Sequence, residues 1–136
     1  MNNKVLLAGV SACLVILLAV PLMAHHSFAA QYDRSKPATL KGPVTKLDWI
    51  NPHARFFMDV KGTDGKTVNW EVELGPPAML MRNGWTKSAL AIGESVEVNG
   101  SLAKDGSHLL NATTVTLSNG KRVFAGSSGG DDNPNK

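Results

Sequence analysis

Cysteine is almost missing. The chain of 136 residues carries one, Cys13, and it sits inside an apolar run near the start. Whatever folds downstream of that run has no disulfide and no cysteine–histidine pair for nucleophilic chemistry. Charge of one sign is scarce as well. Fourteen Lys and Arg stand against 11 Asp and Glu, evenly spread, which argues against nucleic acid or another polyanion as partner. No nucleophile elbow, phosphate-binding loop or internal repeat is visible, so nothing specifies hydrolysis or group transfer and the chain reads as a binding protein rather than an enzyme. The length suits one domain with one hydrophobic core.

The start reads as an export signal, residues 1–24. Lys4 supplies a short positive region, Val5 to Val20 the apolar stretch, Pro21 a helix break, and Leu22-Met23-Ala24 a small residue at the cut. Removal of this segment leaves a periplasmic or secreted protein with no stable membrane insertion. Two rivals are weaker. An uncleaved anchor would use Val5 to Met23, just long enough to span a bilayer, and the lipoprotein-like string ending at Cys13 comes too early in the apolar run. A cut after Ala29 fits the small-x-small rule better than one after Ala24, because Ser27 rather than Leu22 then precedes by three. It also stretches the segment after the apolar region, so Ala24 is the expected site.

Strand signals fill the rest, from 25 to 125. Thr67 to Leu74 alternates strictly, with Val68, Trp70, Val72 and Leu74 on one face and Glu71 and Glu73 on the other, which reads as a solvent face. Arg55 to Val60 sends Phe56, Met58 and Val60 inward and Phe57 outward. Asp64-Gly65 between the two runs supplies the positive φ angles of a hairpin turn. Upstream, Ala38 to Ile50 is a longer extended run whose apolar parity slips between Leu40/Val44 and Leu47/Trp49. A slip of one position means a bulge or sharp bend, which Gly42-Pro43 tolerates. Downstream come Glu94 to Ala103, His108 to Leu117 and a fragment, Arg122-Val123-Phe124. Residues 126–136 read as a disordered tail.

One segment breaks the pattern. Gly75 to Trp85 reads as a short helix, with prolines in its first turn and Gly84 as a left-handed stop that folds Trp85 back as an apolar clasp. Three strands, a short helix, two strands and a fragment predict an all-β chain with one short helix, a small five-stranded OB-fold-like barrel. Val68, Trp70, Val72, Val96 and Val98 should share its core. Its exposed face is where such barrels bind ligands.

Three stretches taken together, "AHHSF", "WINPHARFFMDV" and "NWEVELGPPAMLMRNGWT", resemble a family of small exported bacterial proteins of unknown function. The resemblance spans roughly residues 24 to 124. It implies export and a compact β domain, and no activity.

The chemistry lies with the histidines. A cut after Ala24 makes His25 the first residue, and its free amine and ring Nδ1 can close a chelate on one metal ion. A third nitrogen would complete an arrangement that resembles the histidine brace of exported copper proteins and copper oxygenases, and such ligation suits Cu(II). His53, set in Asn51-Pro52-His53 between the first two strands, is the expected third ligand, with His26 assisting. His108 begins a strand beside a hairpin tip and is not expected to bind. Asp33 and Asp48 are available to orient an imidazole. The alternative is a metal-free module that binds a small ligand, a peptide or an envelope partner. A copper-dependent oxidase or oxygenase would use the same ligands and need an open substrate surface besides.

Overall fold

The computed structural model describes residues 28–126. The expected export signal, His25, His26 and the tail beyond Gly126 lie outside the described residues. Residues 28–31 form a helical turn, followed by β1 (Tyr32–Asp48), β2 (Arg55–Lys61), β3 (Thr67–Glu73), a helix (Pro77–Arg82), β4 (Ser95–Ala103), β5 (Leu109–Thr116) and β6 (Arg122–Phe124). The strands join in the order β3-β2-β1-β4-β5-β6, and β5 returns to pair with β3. That closing contact is parallel, Glu71↔Leu109 to Glu73↔Asn111, whereas the others are antiparallel. The sheet thus closes in a ring. The expected fragment proves to be a sixth strand, paired with the far half of β5 through Thr114↔Phe124 to Thr116↔Arg122.

β1 makes closure possible by serving two neighbours. Tyr32 to Pro43 pairs with β4, and Val44 to Asp48 pairs with β2. The handover falls at Gly42, where an added Cβ would lie 1.8 Å from the Asp59 carbonyl oxygen, so only glycine lets the strand turn this tightly. The register shift itself sits just after, between Val44 and Lys46. It leaves Thr45 and Lys46 both exposed and turns Leu47 back toward the core. β1 also begins six positions before Ala38. Tyr32 and Asp33 pair with Ala103 and Leu102, and residues 34–36 then bulge out before pairing resumes at Pro37. A turn-like sequence, Asp-Arg-Ser-Lys-Pro, masks this extension.

The β2–β3 turn uses one left-handed residue, Gly65 at φ 80°, and not two. Its amide donates to Gly62 O at 3.0 Å and Gly62 N to Lys66 O at 2.8 Å, so Asp64 stays in an ordinary conformation. The side chain of Asp64 instead accepts from the Lys66 amide.

The ring encloses one main core. Phe56, Met58, Val72, Leu74, Val98, Leu110 and Val115 are fully buried within it. Of the five residues expected to share it, Val72, Val96 and Val98 do, and Trp70 packs against it half-buried. Val68 is half-buried toward the hairpin tip and does not join the cluster. The Pro77–Arg82 helix seats Leu80 in the core. Its end matches the expected stop: Gly84 has φ 88°, Gly84 N donates to Met81 O and Trp85 N to Leu80 O, and Trp85 is buried. These two hydrogen bonds satisfy carbonyls that a helix end leaves open. The Trp85 indole N–H then reaches the Phe124 carbonyl at 2.7 Å, tying the helix to β6.

Candidate functional site

Glu73 is the last residue of β3, and strand alternation turns its side chain away from the core. It is nonetheless buried, at 7% exposure. The helical turn at 28–31 and the start of β1 lie over this outer face, where Phe28, Tyr32 and Ala103 form a second small core with Leu109 packed against it. Phe28 and Tyr32 stack at 5.4 Å between ring centroids. The solvent face read from alternation is therefore covered at Glu73, and that reading is corrected. Outward does not mean exposed where another segment crosses.

Four groups gather on the buried carboxylate. Tyr32 Oη donates to Oε2 at 3.0 Å, and Asn111 Nδ2, itself buried, donates to Oε1 at 3.2 Å. His53 Nδ1 lies 3.1 Å from Oε1. Arg55 Nη2 stands 3.9 Å from Oε2 while its Nη1 binds Glu71 at 2.6 Å. A buried carboxylate needs such partners, because desolvation penalises it otherwise. Burial, together with the negative charge of Glu73, pushes the Tyr32 hydroxyl far above its ordinary pKa, so it stays protonated and donates.

His53 sits just before β2, after a cis Asn51–Pro52 peptide. Ala54 beside it is fixed by backbone bonds to Gly75 O and from Leu74 N, which holds the imidazole over the end of β3. Its side chain is 37% exposed, with Nδ1 turned to Glu73. His25 and His26 lie outside the described residues. Among the described residues, no group of three or more His, Cys, Asp or Glu side chains could hold a metal ion, and no helix is long and apolar enough to cross a membrane.

The two aspartates available to orient an imidazole, Asp33 and Asp48, are engaged elsewhere. Asp33 accepts from Ser35 Oγ at 2.6 Å and Ser35 N at 3.0 Å, bonds that hold its carboxyl below the ordinary range. Asp48 pairs with Lys46 at 2.7 Å. Glu73 takes the orienting place instead. Sequence reasoning passed over it because no pattern within β3 shows that Tyr32, 41 positions away, will cover it. His108 packs its ring edge on Trp70 at 5.1 Å. Phe57 faces outward as expected, with Lys46 Nζ 5.1 Å from its ring centre.

Beside this cluster, a cavity of about 260 Å³ opens between Phe28, Tyr32, Asp33, Arg34 and Lys104. Arg34 stacks over the Phe28 ring at 5.1 Å, and Lys104 Nζ binds the Ala29 carbonyl.

No curated protein matches the chain. Among solved structures, the crystal structure of a complex of TiaS with an isoleucine tRNA and ATP is similar at 24% identity, over 62% of this chain and 18% of that one, with a TM-score of 0.46. This chain thus spans under a fifth of the protein it matches. A family model covers residues 12–111, most of the chain, and the chain belongs to that family, the Family of unknown function (DUF6152).

Proposed function

We propose that this chain is an exported, periplasmic binding protein, an OB-fold-like barrel that holds copper through His25 and His53 with His26 assisting. The single observation behind this reading is that Tyr32 and His53 bind the same buried carboxylate, Glu73. The start of β1, a few residues after the two histidines, is therefore fastened to the same carboxylate as the third candidate ligand. The barrel assignment draws support from the ring of β1 to β5, the parallel β3–β5 closure and the helix between β3 and β4.

The residues fit a nitrogen-ligated metal. With Nδ1 held at Glu73, His53 keeps Nε2 for a cation, and a carboxylate behind a ligating imidazole is the usual arrangement at such sites. Bound copper would supply a Lewis-acidic, redox-capable centre. The chain's own part is to hold the imidazole still and keep the Tyr32 segment docked.

A second reading, binding of a small ligand without metal, is favoured by the cavity between Phe28, Tyr32, Arg34 and Lys104. Its walls combine two aromatic rings with Arg34, Lys104 and the Asp33 carboxylate, a lining that suits a small polar molecule.

Intact mass and N-terminal sequencing of protein from the exported fraction test the first reading. A mature chain beginning at His25 supports it. A start at Ala30 removes both histidines and the copper site with them. In the His25 form, one added residue before His25 should weaken Cu(II) binding by capturing the amine in a peptide bond.

A further inference from the structure

Both oxygens of the Glu73 carboxylate are engaged. Oε1 meets both His53 Nδ1 and Asn111 Nδ2, and Oε2 meets Tyr32 Oη. The Asn111 amide N–H₂ can only donate and the Tyr32 hydroxyl is placed to donate, so the carboxylate stands as an acceptor on each oxygen. The third partner must then donate too. A neutral imidazole has one ring proton, and this contact places it on Nδ1. Nε2 is left with the lone pair, on a side chain that is 37% exposed.

Charge points the same way. Glu71 and Glu73 share one guanidinium, Arg55, whose short contact of 2.6 Å goes to Glu71 and whose longer one of 3.9 Å goes to Glu73. The cluster around His53 holds two carboxylates and one cation. A positive ion on Nε2 would offset the surplus.

We propose that Glu73 is the positioning residue of the site: it fixes His53 in the Nδ1–H tautomer, reserving Nε2 for the metal, and through Tyr32 it fastens the start of β1 to the same carboxylate. This deepens the copper reading and rests on it for the identity of the ligand, but the tautomer is a property of the metal-free protein. Ligand capture and segment docking are thereby joined through one side chain. A Tyr32 change, which removes no ligating nitrogen, should weaken metal binding.

The experiment uses the mature chain, ¹⁵N-labelled and metal-free at pH 8, with long-range proton–nitrogen correlation of the imidazole rings. His53 should show a protonated Nδ1 and a bare Nε2 in the wild type. Glu73→Gln should abolish that single tautomer and weaken Cu(II) binding roughly 10- to 100-fold, the usual effect of removing such a partner. Tyr32→Phe should leave the tautomer in place and still weaken Cu(II) binding. A wild-type His53 protonated on Nε2 overturns the proposal, and this arm requires no variant to fold. So does a Glu73→Gln protein whose tautomer and Cu(II) affinity are unchanged. Should the wild type show the expected tautomer but bind no Cu(II), the tautomer assignment survives and the copper reading fails.

Discussion

The Tyr32 hydroxyl donates to Oε2 of Glu73 at 3.0 Å, joining two positions 41 residues apart. That bond fastens the start of β1 to the end of β3, on the outside of the ring. A hydrogen bond to a buried charged group contributes about 1.5–3 kcal/mol. Tyr32→Phe keeps the ring that stacks on Phe28 and removes only the donor, so it should cost about that much, read as a lowered denaturant midpoint with an unchanged slope. A cost near zero would mean that Glu73 is satisfied without it.

Tyr32 is the chain's one tyrosine, which makes its ionisation directly visible. Burial and the adjacent Glu73 raise its pKa above the ordinary 10.0. The folded state therefore keeps its proton where the unfolded state releases it. Stability from this group is fully present below about pH 10 and is lost progressively as the pH rises beyond it. In an alkaline titration, phenolate absorbance should stay absent through the ordinary tyrosine range and appear together with loss of the near-ultraviolet circular dichroism. Phenolate forming at the ordinary tyrosine pKa with the fold intact would contradict the buried hydrogen bond.

Gly42 tests the closure of the ring. A Cβ there would meet the Asp59 carbonyl oxygen at 1.8 Å and its carbon at 2.9 Å, and backbone cannot swing aside as a side chain does. Gly42→Ala should destabilise by at least the ~1–3 kcal/mol typical of overpacking. Gly65→Ala serves as a contrast, since nothing lies within 4 Å of its added Cβ and only the positive φ is strained. Its cost, read from the same melts, should be the smaller.

Much of this architecture was legible because period-two alternation is a local signal. Phe56/Met58 and Val72/Leu74 declared their inward face, Gly84-Trp85 declared the helix end, and the parity slip between Val44 and Leu47 declared the bulge. Non-local features left no such trace. Tyr32 and Asp33 pair with β4 only because Ala103 and Leu102 are present across the gap, and the turn-like residues after them suggest a loop. The same blindness hid Glu73. His53 could be singled out by residue type and by the proline before it, whereas the group that orients it could not, because its burial is created by a distant segment.

Glu94 offers a second pH signature, at the opposite extreme. It accepts from Ser118 Oγ at 2.7 Å, Ser118 N at 3.1 Å and Ala91 N at 3.1 Å, and the Ser118 side-chain bond leads in lowering its pKa below the ordinary 4.5. A lowered carboxyl contributes stability that is present above its ordinary pKa and lost as the pH falls through the folded value. Glu94→Gln should melt earlier than the wild type at neutral pH, and the gap should close in acid. A gap that is constant with pH would mean the carboxylate charge is not what those donors recognise.

The central claim is that His53, oriented by Glu73, shares one metal ion with the N-terminal histidine. Cu(II) titration of the mature chain beginning at His25, beside its His53→Ala variant, tests it most directly. One tight equivalent in the wild type, weakened at least tenfold in a variant that circular dichroism shows to be folded, is the expected result. Cu(II) affinity that is the same in both proteins, or no tight site in the wild type, would contradict it.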